Sequence, residues 1–394
     1  MKKLRNKSLF YFIICTLFLT IFVMILIFIQ NRTKKSAITK ESKQFLTLFN
    51  WGEYLDPQTI IDFEEQNGIE VKQVLFSSNE LAITKIKSDD KYDLAILSEY
   101  AIDKLIQDEL IEGINSEKLE KSNNYNWQYN DQYKEFKEKL PKRFSNYAVP
   151  YFWGKVVLIY NKQKINKEEI TKESFKILDK PNLKIALCNN PRDGLMVGLK
   201  ATGGTIEKPT EKELENAKKW LLKLKEKNPN VAFINDQLID RMSQKGKEYY
   251  DVVVAYSGDA NFLKEKNDNL EVLDPKEGTN VWVDSLVMPK NSCKELAYKF
   301  INFLREKNNY QKNLAYIKYD SPYEDKNNKI KINENDQIYK YDEANQKLIN
   351  TYWNDVIAYP SKKDYWLFGF SGLILIGLII AFFMKKRKVF ESQY

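Results

Sequence analysis

The chain has 394 residues, 62 Lys and Arg against 54 Asp and Glu, a formal charge of +8 and no histidine. Without an imidazole there is no serine–histidine or cysteine–histidine nucleophile pair, no histidine general base and no zinc site of the mixed histidine type. Three cysteines, Cys15, Cys188 and Cys293, are too few for a four-cysteine zinc site or a disulfide framework, and at this length the core is expected to divide.

The first element is apolar. Residues 9–29 carry no charge over a length that spans a hydrocarbon core, which takes about 20 residues of helix. The run exceeds the roughly 7 to 15 residues of a signal-peptide core, and no small-x-small cleavage site follows, so it reads as a retained anchor with Cys15 embedded in it. A second uncharged run, 365–384, opens on Tyr365-Trp366 and is followed by Lys385, Lys386, Arg387 and Lys388, a stop-transfer pattern. With Lys2, Lys3, Arg5 and Lys7 ahead of the first run, the positive-inside rule places both termini in the cytoplasm and the portion between them outside. These two tails hold seven of the eight net positive charges. The intervening portion is nearly neutral, with lysines interleaved among acids, as in Lys167, Glu168, Glu169, Lys172 and Glu173. That is the pattern of solvated helix faces, and nucleic acid is not expected as a partner.

After a polar linker at 31–44, short β-branched and aromatic runs predict strands at 45–49, 70–75, 93–97, 184–187, 251–255 and 281–288. Helices are predicted over 56–66, with Pro57 in the first turn and Gly68 beyond the end, over 211–227 and over 292–316. Residues 320–350 show weak periodicity until 343–353. Strands alternating with helices predict an α/β fold with largely parallel sheets covered on both faces.

No G-x-G-x-x-G or P-loop pattern occurs, and Gly203-Gly204 reads as a turn. Aromatic residues do stand beside carboxylates at strand ends: Trp51, Glu53 and Tyr54 after the first strand, Ser98-Glu99-Tyr100 after the third, Tyr256 and Asp259 after the fifth, and Trp282 and Asp284 within the last. Ligands of open α/β sheets bind beyond strand carboxyl ends, and rings with acids suit an organic cation, each ring contributing roughly 0.5 to 2 kcal/mol. On composition alone the same rings are read first as core filling, since each buries a large apolar area.

The segments LFNWGEYLDPQTIIDFEEQNGIEV, YDLAILSEYAIDKLIQDELIEGIN, NYAVPYFWGKVVLIYN and VWVDSLVMPKNS, in this order, resemble the spermidine/putrescine-binding proteins of polyamine ABC importers over most of residues 45–360. The resemblance implies a two-lobed, clam-like periplasmic-binding-protein type II fold. Lobe one would comprise 45–148 and 283–360 with the C-terminal helices, lobe two 149–282, flanked by the anchors in 1–30 and 365–384 and the basic tail 385–394. It implies an aromatic wall of Trp51, Tyr54, Tyr100, Tyr256, Trp282 and Tyr319, a hydrogen bond from Ser98, and Asp284 as the acid that meets an amine. The family's second acidic pair, spaced D-x-x-E, falls on Asn190 and Asp193, so one of its carboxylates is an amide here. Trp353 falls where the family has a polar amide, and Glu99 and Asp259 are additional acids beside the wall. The implied protein is no enzyme and takes no cofactor or metal. Its partners would be a polyamine, ABC permease subunits with a cytoplasmic ATPase, and the lipid bilayer. Three alternatives remain: the same fold serving another small cationic solute, a membrane-anchored surface hydrolase using a carboxylate pair such as Asp193 and Asp284, and a structural tether or adhesin that keeps the fold without the ligand, for which Asn190 is the only support. Cys188 and Cys293 are expected as free, partly buried thiols.

Overall fold

The computed structural model describes residues 44–119, 127–234, 237–325 and 330–360, together with Met24. The apolar runs 9–29 and 365–384 lie outside the described residues apart from Met24. Among the described residues, no helix is long and apolar enough to cross a membrane.

In chain order the elements are β1 Phe45–Trp51, α1 Pro57–Asn67, β2 Glu70–Phe76, α2 Asn79–Lys87, β3 Leu94–Ser98, α3 Glu99–Gln107, β4 Ile111–Glu112, α4 Asp131–Lys137, β5 Val149–Asn161, α5 Lys167–Glu173, β6 Ile185–Cys188, α6 Pro191–Ala201, α7 Glu211–Lys227, β7 Ala232–Ile234, α8 Leu238–Met242, β8 Val252–Tyr256, α9 Ser257–Lys266, β9 Leu270–Leu273, β10 Val281–Pro289, α10 Lys294–Leu304, α11 Lys307–Ile317 and α12 Glu343–Ala358. Local chemistry accounts for several boundaries. The Asp56 side chain accepts from the backbone N–H of Gln58 to start α1, and Gly68 closes it. Thr210 and Glu213 form a reciprocal capping box that starts α7. The stretch 292–316, expected as one helix, divides into α10 and α11 because Glu306 turns extended; the Phe303 carbonyl at the break accepts from the Glu306 backbone N–H at 3.2 Å and from the Asn309 side chain at 3.0 Å.

The sheet runs β2-β1-β3-β10-β5-β8-β6-β7, with β4 added beside β10 and β9 beside β5. β1 pairs in parallel with β2 and β3, and β6 pairs in parallel with β7 and β8. β3 and β10 are buried along their whole length, as strands covered on both faces must be. Two long strands join the halves. β5 pairs antiparallel with β10 through Val149–Lys155 and with β8 through Val156–Tyr160, so it leaves one half-sheet and enters the other near Lys155. β10 pairs with β5 as far as Leu286 and with β3 from Asp284 to Val287, with a register shift between Asp284 and Ser285.

At the crossing the Lys155 side chain is buried, its Nζ 2.8 Å from the equally buried Asp336 carboxylate and 3.0 Å from the Lys331 carbonyl. This pair fixes the segment before α12 to β5. The sequence reading assigns 343–358 to lobe one together with the rest of 283–360; α12 instead packs on α6 and α7 of the other half. Lys225 Nζ on α7 donates to the carbonyls of Val356 and Ile357 at 2.7 and 3.0 Å. Trp353 lies directly on the α6 backbone at Gly194, where a Cβ would come within 2.1 Å of its ring.

Candidate functional site

The site is built where the two half-sheets meet. On β10, Asp284 stands opposite Ser98, the last residue of β3. Ser98 Oγ donates to Asp284 Oδ1 at 2.6 Å, while Tyr54 Oη and Trp282 Nε1 donate to Oδ2 at 2.8 and 3.2 Å. Asn79 holds Ser98 in place, donating through Nδ2 to its Oγ at 2.9 Å and accepting from its backbone N–H. In the other half, Asp193 in the first turn of α6 accepts from Tyr256 Oη and Tyr339 Oη, both at 2.9 Å. A chain of rings joins the two carboxyls: Tyr54 meets Tyr319 at 5.6 Å between centroids, Tyr319 meets Trp282 at 6.1 Å, and Trp282 meets Tyr256 at 5.4 Å, each edge to face. The approach of Tyr319 needs bare backbone beside it, since a Cβ on Gly258 would sit 2.5 Å from its ring.

The model of the bacterial extracellular solute-binding protein family matches residues 89–347. The chain is 32% identical over 277 residues to the spermidine/putrescine-binding periplasmic protein of Salmonella typhimurium, covering 68% of this chain and 75% of that one. The chain belongs to the bacterial extracellular solute-binding proteins. Among solved structures it is similar to a spermidine/putrescine ABC transporter protein of Listeria monocytogenes, at TM-score 0.67 and 28% identity over 80% of this chain and 99% of that one. The spermidine/putrescine ABC transporter substrate-binding protein of Streptococcus pneumoniae matches at TM-score 0.61 and 29% identity, with the same coverage of both chains. The expected resemblance is therefore borne out, as is the mixed α/β, two-lobed solute-binding fold.

Within this solute-binding protein the electrostatics follow from burial. Asp284, 4% exposed, is pushed up to about 6 by the loss of solvent, against the pull of its three donors. Asp193 is raised by burial in the same way, with the Tyr256 and Tyr339 hydroxyls opposing. Glu99 begins α3 and is 2% exposed; its Oε2 accepts from the backbone N–H of Val283 at 3.1 Å, and burial pushes it up to about 8. The hydroxyls of Tyr54, Tyr256, Tyr319 and Tyr339 are all held protonated by burial.

The residues singled out in the sequence divide into groups. Tyr54, Ser98, Trp282 and Asp284 form one cluster, Asp193 and Tyr256 a second, and Tyr319 bridges them through ring contacts. Tyr100 belongs to a third cluster: its ring is covered by the Arg192 guanidinium at 4.2 Å, and its hydroxyl donates to Glu80 at 3.1 Å. Asn190 caps α6, its Oδ1 accepting from the backbone N–H groups of Arg192 and Asp193 at 2.9 and 3.4 Å, which accounts locally for an amide at this position. Trp51 lies half-buried on Phe76, with centroids 4.4 Å apart, and Asp259 is half-buried in the first turn of α9. Trp353 is a packing residue against Gly194 and Phe233. Cys188 and Cys293 are both free, the first buried and the second exposed.

Sequence reasoning missed Tyr339, Asn79 and the Arg192–Glu80 ion pair, 2.8 Å across the two halves. Arg192 lies between Asn190 and Asp193, and a lone cation there was the available signal. Tyr339 comes from the weakly periodic stretch and carries none.

Proposed function

We propose that this protein binds a linear polyamine, putrescine or spermidine, in the cleft between its lobes and delivers it to an ABC permease driven by a cytoplasmic ATPase. The observation that carries the reading is the pair of buried carboxyls, Asp284 in one lobe and Asp193 in the other, joined by the rings of Tyr54, Tyr319, Trp282 and Tyr256. Each acid is fixed by hydroxyl or indole donors, so little reorganisation is needed when an ammonium arrives. An aliphatic chain between two ammonium groups suits rings between two acids, and closing the lobes over it removes water and strengthens both contacts. The names of the relatives from Salmonella typhimurium and Streptococcus pneumoniae support the same ligand class.

In this reading Trp51, Tyr54, Ser98, Tyr100, Asp193, Tyr256, Trp282, Asp284 and Tyr319 line or support the ligand site, and Asn190 shapes it through the cap that orients Asp193. The lobes divide within β5 near Lys155, not at the expected 148/149, and at 282/283, with α12 returning to lobe two. The apolar runs 9–29 and 365–384 tether the protein in the cell membrane with the lobes on the extracytoplasmic side. A tether at both ends keeps the receptor beside its transporter and raises its effective concentration there. Calorimetric titration of the full-length protein in detergent with putrescine, spermidine, arginine and a neutral sugar tests the ligand. Saturable binding of at least one polyamine is expected; a folded protein that takes up neither sinks the reading.

A further inference from the structure

Glu99 is buried at the start of α3, bonded to the strand that carries Asp284, and takes no part in the hydrogen bonds that hold Asp284 or Asp193. Glu99 and Asp284 are tied to each other's chain neighbours. Ser98, beside Glu99, donates to Asp284, and Val283, beside Asp284, donates to Glu99, on either side of the register pair Asp284 and Ser98. We propose that Glu99 is the second carboxylate of the Asp284 amine subsite and a determinant of specificity for a primary ammonium. The inference rests on the polyamine reading above.

A primary ammonium offers three N–H donors, and a carboxylate accepts at about four lone-pair positions. Asp284 already receives three bonds, from Ser98, Tyr54 and Trp282, which leaves it room for about one more. Glu99 uses Oε2 on Val283, while its Oε1 is fully buried and has no hydrogen-bond partner among the described residues. A buried carboxyl oxygen without a donor costs stability, so its persistence at a ligand site points to a donor the ligand brings.

The charges around Glu99 define how it would respond. Facing it are Asp284 on β10, Arg192 on α6 and Tyr133 on α4. Burial, and after it Asp284, favour its protonated form, and the backbone N–H groups of Val283 and of Glu99 itself, with Arg192, oppose them. In neutral solution Glu99 therefore keeps its proton while Asp284 carries the charge. An ammonium placed between the two acids favours ionisation of both, and the Glu99 proton passes to the buffer.

The test is titration of full-length protein with putrescine at pH 7.5, in buffers of different ionisation enthalpy, comparing the parent with Glu99→Gln. The parent should release a substantial fraction of one proton per putrescine bound. Glu99→Gln should lose that release and bind roughly ten- to hundredfold more weakly, the span set by a hydrogen bond to a charged group. If Glu99 serves only to hold Val283, glutamine, whose amide oxygen accepts the same bond, leaves affinity and proton release unchanged, and the proposal is overturned. The parent alone decides the matter should the variant misfold: binding without proton exchange between pH 6.5 and 8.5 also overturns it. A parent that binds neither putrescine nor spermidine brings down the polyamine reading itself and this inference with it.

Discussion

Replacing Asp284 with asparagine removes the charge on which the lobe-one amine contact depends while nearly keeping its shape. β10 loses none of its pairing with β3 and β5, which is made through the backbone. The side chain faces three donors, Ser98 on one oxygen and Tyr54 and Trp282 on the other. An amide turned so that its oxygen meets Tyr54 and Trp282 presents its NH2 to Ser98, whose hydroxyl can rotate to accept. Folding should therefore tolerate the change. It should even benefit at pH 7.5, because the parent must keep ionised a carboxyl that burial pushes up to about 6, which costs on the order of a few kcal/mol. Binding should respond in the opposite direction. Removing one partner of a buried, hydrogen-bonded charge pair costs about 2 to 5 kcal/mol, or roughly 30-fold to several thousandfold in affinity. Calorimetry with putrescine and spermidine gives the affinity, and thermal denaturation without amine gives the stability. An affinity within about threefold of the parent would refute the role of Asp284, since that is less than 1 kcal/mol.

Further outcomes follow from the same structure. The folded-state pKa of Asp284 lies above that of the unfolded chain, so its stabilisation is complete below the unfolded value of about 3.9 and is lost as pH rises through about 6. The melting temperature of the parent minus that of Asp284→Asn should accordingly fall between pH 4 and 7, and a flat difference would contradict the assignment. Trp51→Ala should weaken polyamine binding by about two- to fivefold, the exposed-site range of a cation–π contact; an unchanged constant would make Trp51 a packing partner of Phe76 and nothing more. Lys155→Met strands the buried Asp336 and should cost about 3 to 5 kcal/mol in urea denaturation, with a loss under about 1 kcal/mol counting against a buried pair at the crossing. Gly194→Ala drives a methyl into the Trp353 ring and should cost about 1 to 3 kcal/mol; no loss would mean that α12 does not depend on this contact.

Much of the fold is legible because strand and helix periods dominate where both faces are covered. The six predicted strands all appear with their ends within two residues of expectation, and the helix over 211–227 coincides with α7, whose capping box the sequence carries in Thr210 and Glu213. What was not legible depends on distant contacts. The break between α10 and α11, where Glu306 turns extended and the Asn309 side chain bonds the Phe303 carbonyl, is announced by no local pattern. The docking of α12 on lobe two depends on Gly194 leaving space for Trp353, two residues far apart in the chain. The site divides in the same way. Tyr54 and Ser98 at strand ends, and Trp282 and Asp284 within the last strand, pair aromatics with polar groups and could be singled out from the sequence alone. Tyr339, which donates to Asp193 from an irregular segment, could not. Arg192 was visible as a residue and unreadable as a role, because its partner Glu80 lies in the other half of the molecule.

The most direct test is a crystal structure of the lobes with putrescine or spermidine bound. One ammonium nitrogen should lie within hydrogen-bond reach, about 3 Å, of Asp284, with the aliphatic chain against Trp282, Tyr256 and Tyr319 and the other end directed toward the Asp193 side. An amine bound outside the cleft, or one inside it that contacts neither carboxylate, would contradict the account.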